Sequence, residues 1–470
     1  MGSTRINDTC RVTVIGAGLA GSLLAIYLGR RGFQVELFES RPDMRREPIP
    51  AGRSINLALA ERGLHALREV GLCETVERFA IPMRGRMLHE QTGHLQFQPY
   101  GKPDRECIFS VPRGHLNMAL LDAAEATGEV SIHFRHKLEH LDFEQGLAGF
   151  INEDDGLRER VAIGPLIGAD GAGSQVRDCL SRYTELGVAS EILDHGYKEL
   201  AIPPGVDGDF QLQPHALHIW PRGGYMLIAL PNPDKSFTAT LFLATEGEPG
   251  FDRLARPERV ESWFRREFPD AVPLMPHLVE DFMRHPLGFL GTVRCRRWYH
   301  GDHALLIGDA AHAIVPFHGQ GMNCAFEDCS VLDRCLENRD RSWAELFAEF
   351  ERLRLENTNA IAAMALENYV EMRSSVRDPK FHLKKQLEQT LEQRHPERFI
   401  PRYSMVMFHR IPYATARERG KIQEAILNDL VADREDIEHV DLRLADRLIE
   451  DKLTILGASA PSSAESFPAF

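Results

Sequence analysis

The sequence predicts an α/β protein: a Rossmann-like dinucleotide-binding domain with an inserted antiparallel β-sheet and a C-terminal helical region. Three observations predict it. The apolar run Arg11 to Ile15 enters Gly16-Ala17-Gly18-Leu19-Ala20-Gly21, an amphipathic helix follows from Ser22 to Arg31, and Glu39 ends the next apolar run, Val35 to Phe38. Glycines at that spacing let backbone amides approach a pyrophosphate at a helix N-terminus, and an acid about 20 residues on accepts from a ribose hydroxyl. Two further strand–glycine–acid units recur, Leu166 to Ser174 around Asp170-Gly171 and Ala304 to His312 around Gly308-Asp309. Between these two, residues from Tyr197 to Phe242 alternate as paired strands do, so their sheet interrupts the dinucleotide fold. The plain alternative is three unrelated glycine turns after strands.

Taken in order, residues 11 to 75 read strand–helix–strand, then the stretch Gly52 to Ala58, then a helix from Ala60 to Val70. Arg84 to His89 and Leu95 to Gln98 alternate as a hairpin, Arg113 opens a helix over Leu116 to Glu125, and short strands follow at Val130 to Phe134 and Ala148 to Ile151. The inserted sheet has strands at Leu217 to Trp220, Tyr225 to Leu230 and Phe237 to Phe242, the last two joined by the turn Pro231-Asn232-Pro233-Asp234. Helices are expected at Cys324 to Asn338, Ser342 to Tyr369 and Lys380 to Arg394. The charged stretch Gly420 to Leu456 is helix-prone, its run Asp433-Arg434-Glu435-Asp436 reading as a solvated helix face, and Gly457 to Phe470 reads as a loose polar tail. The expected division is 1–80, 113–195 and 296–375 for the dinucleotide-binding domain, 81–112 and 196–295 for the substrate-domain strands and sheet, and 376–470 for the helical region.

Composition narrows the function. With 470 residues the chain has about three domains' worth of core. A net charge of -14 argues against a nucleic-acid binder, which needs a basic face. The eight cysteines are scattered without a C-x-x-C, and Met1 to Cys10 is polar rather than leader-like, so free thiols and a cytoplasmic location are expected. No apolar run reaches about 18 residues, so no membrane span is expected.

Several motifs resemble one family. Gly52 to Ala60, Met83 to Met87, Gln98 to Gly101, Pro316 to Asn323, Glu367 to Met372 and Phe399 to Val406 are similar to stretches of the class A FAD-dependent aromatic hydroxylases, and within them of the kynurenine-hydroxylating branch. The resemblance extends over roughly residues 11 to 415. It implies a hydroxylase-type FAD-binding domain, NADPH and O2 as co-substrates, and L-kynurenine as substrate, hydroxylated through a flavin C4a-hydroperoxide. The charged C-terminal stretch resembles the soluble bacterial form rather than the membrane-anchored eukaryotic one.

The resemblance also implies a site. FAD contacts carried over by motif are Gly16, Gly18, Gly21, Glu39, Ala58, Arg113, Leu138, Asp309, Gly321, Met322 and Asn323. It assigns the substrate carboxylate to Arg86, aided by Tyr100 and Tyr403, with Asn368 toward the amino-acid end. Arg84 shares a strand face with Arg86; for either one the plain reading is a surface salt bridge. Apolar walls would come from Met226, Ile228, Leu230, Phe242 and Phe317, although core packing gives the same alternation. Met364, Asn368 and Met372 share a helix face, where an asparagine among apolar neighbours needs a partner. No residue is an obvious acid or base; His318 and Gln320 are possible orienting groups, His318 being equally a loop stabiliser. Asp309, His312 and His318 lack a fourth clustered ligand, so no metal is expected. With no second glycine fingerprint, NADPH would dock transiently on the surface cleft, tied only to Asp170 and Arg113. Two other readings stay open: a hydroxylase of another aromatic acid, or a flavin-dependent reductase or oxidase.

Overall fold

The computed structural model describes residues 4–47, 56–102, 106–374 and 379–456. Gly52 to Ile55 and the tail 457–470 lie outside the described residues. A six-stranded sheet orders its strands Tyr299–His300, Ala304–Leu306, Leu166–Gly168, Arg11–Ile15, Gln34–Phe38 and Val130–His133. All its pairings are parallel except the one made by Tyr299–His300. Val12, Val14, Leu166, Ile167, Leu305 and Leu306 are fully buried in one core shared with helices Leu19–Arg30 and Arg113–Glu125 and with strand Leu147–Asn152, whose Phe150 stacks on Phe38 at 4.3 Å. Two glycines make the first turn possible. Gly16 has φ +100° and a Cβ there would stand 2.6 Å from the Ala169 carbonyl, while a Cβ on Gly21 would stand 1.9 Å from the Gly16 carbonyl. Helix Leu19–Arg30 can therefore press directly onto the end of its strand.

A seven-stranded sheet follows the order Gly288–Arg294, Ala189–Ile202, Phe237–Ala244, Met226–Pro231, Leu217–Pro221, Gly85–His89 and Leu95–Pro99. The expected hairpin is its far edge. The sheet is mixed rather than wholly antiparallel, because Leu217–Pro221 pairs in parallel with Gly85–His89 from a distant stretch of chain. Its longest strand begins at Ala189, before the expected Tyr197, and its first residues are exposed on both faces, which hides the alternation that marks a strand. On one face, Trp220, Leu227, Leu241, Phe264 and Phe268 form a core with helices Pro257–Glu267 and Leu278–Arg284. The other face carries Met226, Ile228 and Phe242 toward Val315, Phe317 and helix Trp343–Ser374.

Two small three-stranded sheets complete the β-structure. One is Arg158–Ala162, Leu147–Asn152 and His136–Asp142; the other is Leu57–Leu59, Ile108–Val111 and Ile81–Met83. The helical region comprises Trp343–Ser374, Pro379–Arg394, Arg402–Met407, Tyr413–Val431 and Leu442–Lys452. The charged stretch after Gly420 is thus two helices, and Asp433 to Asp436 lie in the break between them, not on a helix face. The break is held by polar caps: Asp436 accepts from the His439 amide and Asp441 from those of Arg443 and Leu444. Leu387, Leu391, Phe399, Ile426, Leu427 and Ile449 join these helices in their own core.

Candidate active site

A cavity of about 640 Å³ runs from the glycine turn to the inner face of the seven-stranded sheet. At one end it is lined by Gly16, Gly18, Glu39, Arg41, Ala58, Arg113, Leu138, Asp170, Asp309, Gly321 and Met322. A Cβ on Gly18 would meet nothing within 4 Å, so the amides at the start of helix Leu19–Arg30 open onto free space. The buried Glu39 carboxylate accepts from the Ala17 amide at 2.9 Å and from Arg41 Nε at 2.8 Å. Burial alone would raise it, but Arg41 and the amides of Arg41 and Ala17 hold it below the usual glutamate range.

Asp309 stands on the turn after Ala304–Leu306, where Gly308 adopts φ +56°. Its side chain is exposed where it lines the cavity, and desolvation raises its carboxyl against the pull of His312 and Arg113. From helix Gly321–Cys335, fully buried Asp328 reaches both ends of this turn. Its Oδ2 accepts from the Gly308 amide at 3.0 Å and from His312 Nε2 at 2.7 Å. His312, Cys324 and Asp328 lie close enough to hold a metal ion, but the Arg354 guanidinium already bridges two of them, with Nε 2.6 Å from Asp328 and Nη2 3.4 Å from the Cys324 sulfur.

At the other end Arg86 and Tyr403 line the cavity with Met226, Ile228, Leu230, Phe242 and Phe317. Arg86 Cζ lies 4.9 Å from the Tyr403 ring centroid and 5.7 Å from that of Tyr100, and the two tyrosine rings stack at 5.6 Å. Buried Arg86 Nε and the buried Tyr100 hydroxyl have no hydrogen-bond partner among the described residues. Glu367 and Glu371 in helix Trp343–Ser374 are engaged by Arg402 instead. His318 stacks 5.7 Å from Tyr403; burial, with Arg402 and Arg86 nearby, pushes its imidazole down to about 4.

Not every expected residue reaches the cavity. Gly21 packs on Gly16, and the Asn323 side chain is spent on the Ala60 amide and the Ala58 and Gly319 carbonyls. Tyr100 lies behind Tyr403 in a cluster with Phe408, outside the lining. Asn368 donates to the Phe317 carbonyl at 2.6 Å, and the Met372 side chain lies outside the described residues. Gln320, expected as a possible orienting group, is turned away: it is fully buried between Met407 and Tyr413. Arg84 is exposed and lies off the lining. Unforeseen lining residues include Arg41, Met83, Leu217, Ile314 and Met407. Arg41 is two residues beyond Glu39 and Leu217 is the register partner of Arg86, so only the pairing of distant strands could have found the latter.

Residues 9–355 match the model of the FAD-binding domain. The chain is 49% identical to a kynurenine 3-monooxygenase of Myxococcus xanthus, over 94% of this chain and 95% of that one. It is 50% identical to one of Xanthomonas oryzae pv. oryzae over 94% and 97%. The chain belongs to the kynurenine 3-monooxygenase family. Among solved structures, 2-methyl-3-hydroxypyridine-5-carboxylic acid oxygenase shares the fold with a TM-score of 0.63 at 21% identity, over 79% of this chain and 94% of that one. Pseudomonas aeruginosa PqsL does so at 0.63 and 20%, over 77% and 96%. One end of the cavity thus brings together the open amides at Gly18, the Glu39 carboxylate and the Asp309 side chain. Among the described residues no helix is long and apolar enough to cross a membrane.

Proposed function

We propose that the protein is a cytoplasmic, NADPH-dependent FAD monooxygenase that converts L-kynurenine to 3-hydroxy-L-kynurenine. The observation that carries this reading is Arg86, a cation in the cavity wall without a carboxylate partner among the described residues, facing a chamber walled by Met226, Ile228, Leu230, Phe242 and Phe317. An amino-acid substrate with an aromatic ring satisfies both halves. Its carboxylate would take the planar donor fork of Arg86, and Tyr403 would add a hydroxyl, while Tyr100 braces Tyr403 from behind. The ring would then lie among Met226, Ile228, Leu230, Phe242 and Phe317.

Gly16, Gly18, Glu39, Ala58, Arg113, Leu138, Asp309, Gly321 and Met322 would hold FAD, which, when bound and reduced by NADPH, would supply the activated oxygen from O2. The protein's own part is positioning and exclusion of water. Its apolar wall keeps the reacting ring dry, and His318, neutral well below neutral pH, offers a hydrogen bond without placing a charge there. No side chain needs to take a proton from an aniline ring before the oxygen is transferred. NADPH oxidation by the holoprotein should accelerate by about tenfold or more when L-kynurenine is added. An equal rate with and without it would contradict the proposal.

A further inference from the structure

A chain of buried polar groups runs behind the cavity from the Asp309 turn to the C-terminal helices. Asp328 holds that turn, Arg354 joins Asp328 to Glu327, and Glu327 joins Arg354 to Arg62. The Arg62 guanidinium donates to the Ile411 carbonyl and lies 3.8 Å over the ring centroid of Tyr413. Fully buried Tyr413 donates its hydroxyl to Gln320 Oε1 at 2.7 Å, and Gln320 Nε2 in turn contacts the Met407 sulfur at 3.0 Å. Two arginines balance two carboxylates. Desolvation offsets most of what such a cluster contributes to stability, whereas its hydrogen bonds fix one geometry.

The chain ends at the cover of the substrate end. Helix Arg402–Met407, which presents Tyr403 and Met407 to the cavity, has only six residues and cannot hold itself. It is fastened at its C-terminal side by Gln320 on Met407 and by Arg62 on Ile411, and Tyr413 touches both fasteners. Resting on the proposed substrate end, we infer that Tyr413 is a positioning residue: its ring under Arg62 and its hydroxyl on Gln320 latch helix Arg402–Met407, with Tyr403, over the bound substrate. None of the six chain members Asp328, Arg354, Glu327, Arg62, Tyr413 and Gln320 lines the cavity, so the latch acts through Tyr403 and Met407.

The test is Tyr413→Phe, which keeps the ring beneath Arg62 and removes one donor. Orphaning a buried acceptor corresponds to about a tenfold change in an equilibrium. In the holoprotein, KM for L-kynurenine should rise about tenfold and more hydrogen peroxide should be released per NADPH, while the affinity of the apoprotein for FAD stays within about twofold. A merely structural role would lower FAD affinity, kcat and melting temperature together, and that outcome overturns the latch. Gln320→Met should raise KM similarly, and the double variant should add little, since both act through one bond. Independently of any substrate, amide hydrogen exchange over residues 402–412 should be about tenfold faster in Tyr413→Phe. Unchanged exchange overturns the latch; faster exchange in a protein whose wild type ignores kynurenine would leave the latch standing and remove the substrate assignment instead.

Discussion

The Arg86 guanidinium carbon lies 4.9 Å from the ring centroid of Tyr403, although the two residues come from a sheet strand and a C-terminal helix more than 300 positions apart. The proposed substrate end of the cavity is therefore lined from two distant parts of the chain, one providing Arg86 and the other Tyr403.

Arg86→Lys replaces a planar two-donor fork with a point charge. KM for L-kynurenine should rise about tenfold or more, because a charge-assisted bidentate contact is worth roughly 1.5–3 kcal/mol. FAD affinity should be unchanged. Arg84→Lys, at an exposed position off the lining, should leave KM unchanged.

Tyr403→Phe keeps the ring that stacks on Tyr100 and His318 and removes the hydroxyl. With wild type, an analogue that carries the amino-acid end but no oxidisable ring position should stimulate NADPH oxidation and release hydrogen peroxide. The variant should show less of both. Equal stimulation in the two proteins would mean that the hydroxyl does not sense occupancy.

Asp328→Asn tests the cofactor turn. One Asp328 oxygen holds both Gly308 and His312, and an amide cannot accept from both of them and from Arg354 as the carboxylate does. Loss of a buried charged acceptor costs about 1–3 kcal/mol. The purified variant should carry less flavin per chain and bind added FAD at least several-fold more weakly in fluorescence titration. Wild-type flavin content would show that Asp309 is positioned without it.

Much of this arrangement was legible in the sequence, and the failures have physical reasons. Glycines announce themselves where no Cβ fits, as at Gly16 and Gly21, and strand alternation marked Met226, Ile228 and Leu230. Strand Arg158–Ala162 was silent because its residues are nearly all exposed and it is held by partners such as Glu139, which pairs with Arg158. Likewise, nothing local separates Gln320, locked behind the cavity by Tyr413, from His318, which faces it. The direction of such a side chain is decided by a residue 93 positions away.

Glu392 gives a pH-dependent prediction. Burial, then the nearby Glu106 carboxyl, raise it from 4.5 to about 7; Glu388 adds to this and Lys102 opposes it. The folded state thus binds a proton that the unfolded state has released between about pH 4.5 and 7, so this group's contribution to stability falls as pH rises through that window. Glu392→Gln should raise the melting temperature by about 1–3 °C at pH 8 and have little effect at pH 4.5. A gain of the same size at both values would show that the carboxyl is not protonated in the fold.

The central claim is tested most directly by the product formed from L-kynurenine and NADPH under 18O2. Mass spectrometry should find 3-hydroxy-L-kynurenine carrying one labelled oxygen atom on the ring. NADPH consumption with unmodified kynurenine, or a product whose oxygen is unlabelled, would contradict the account.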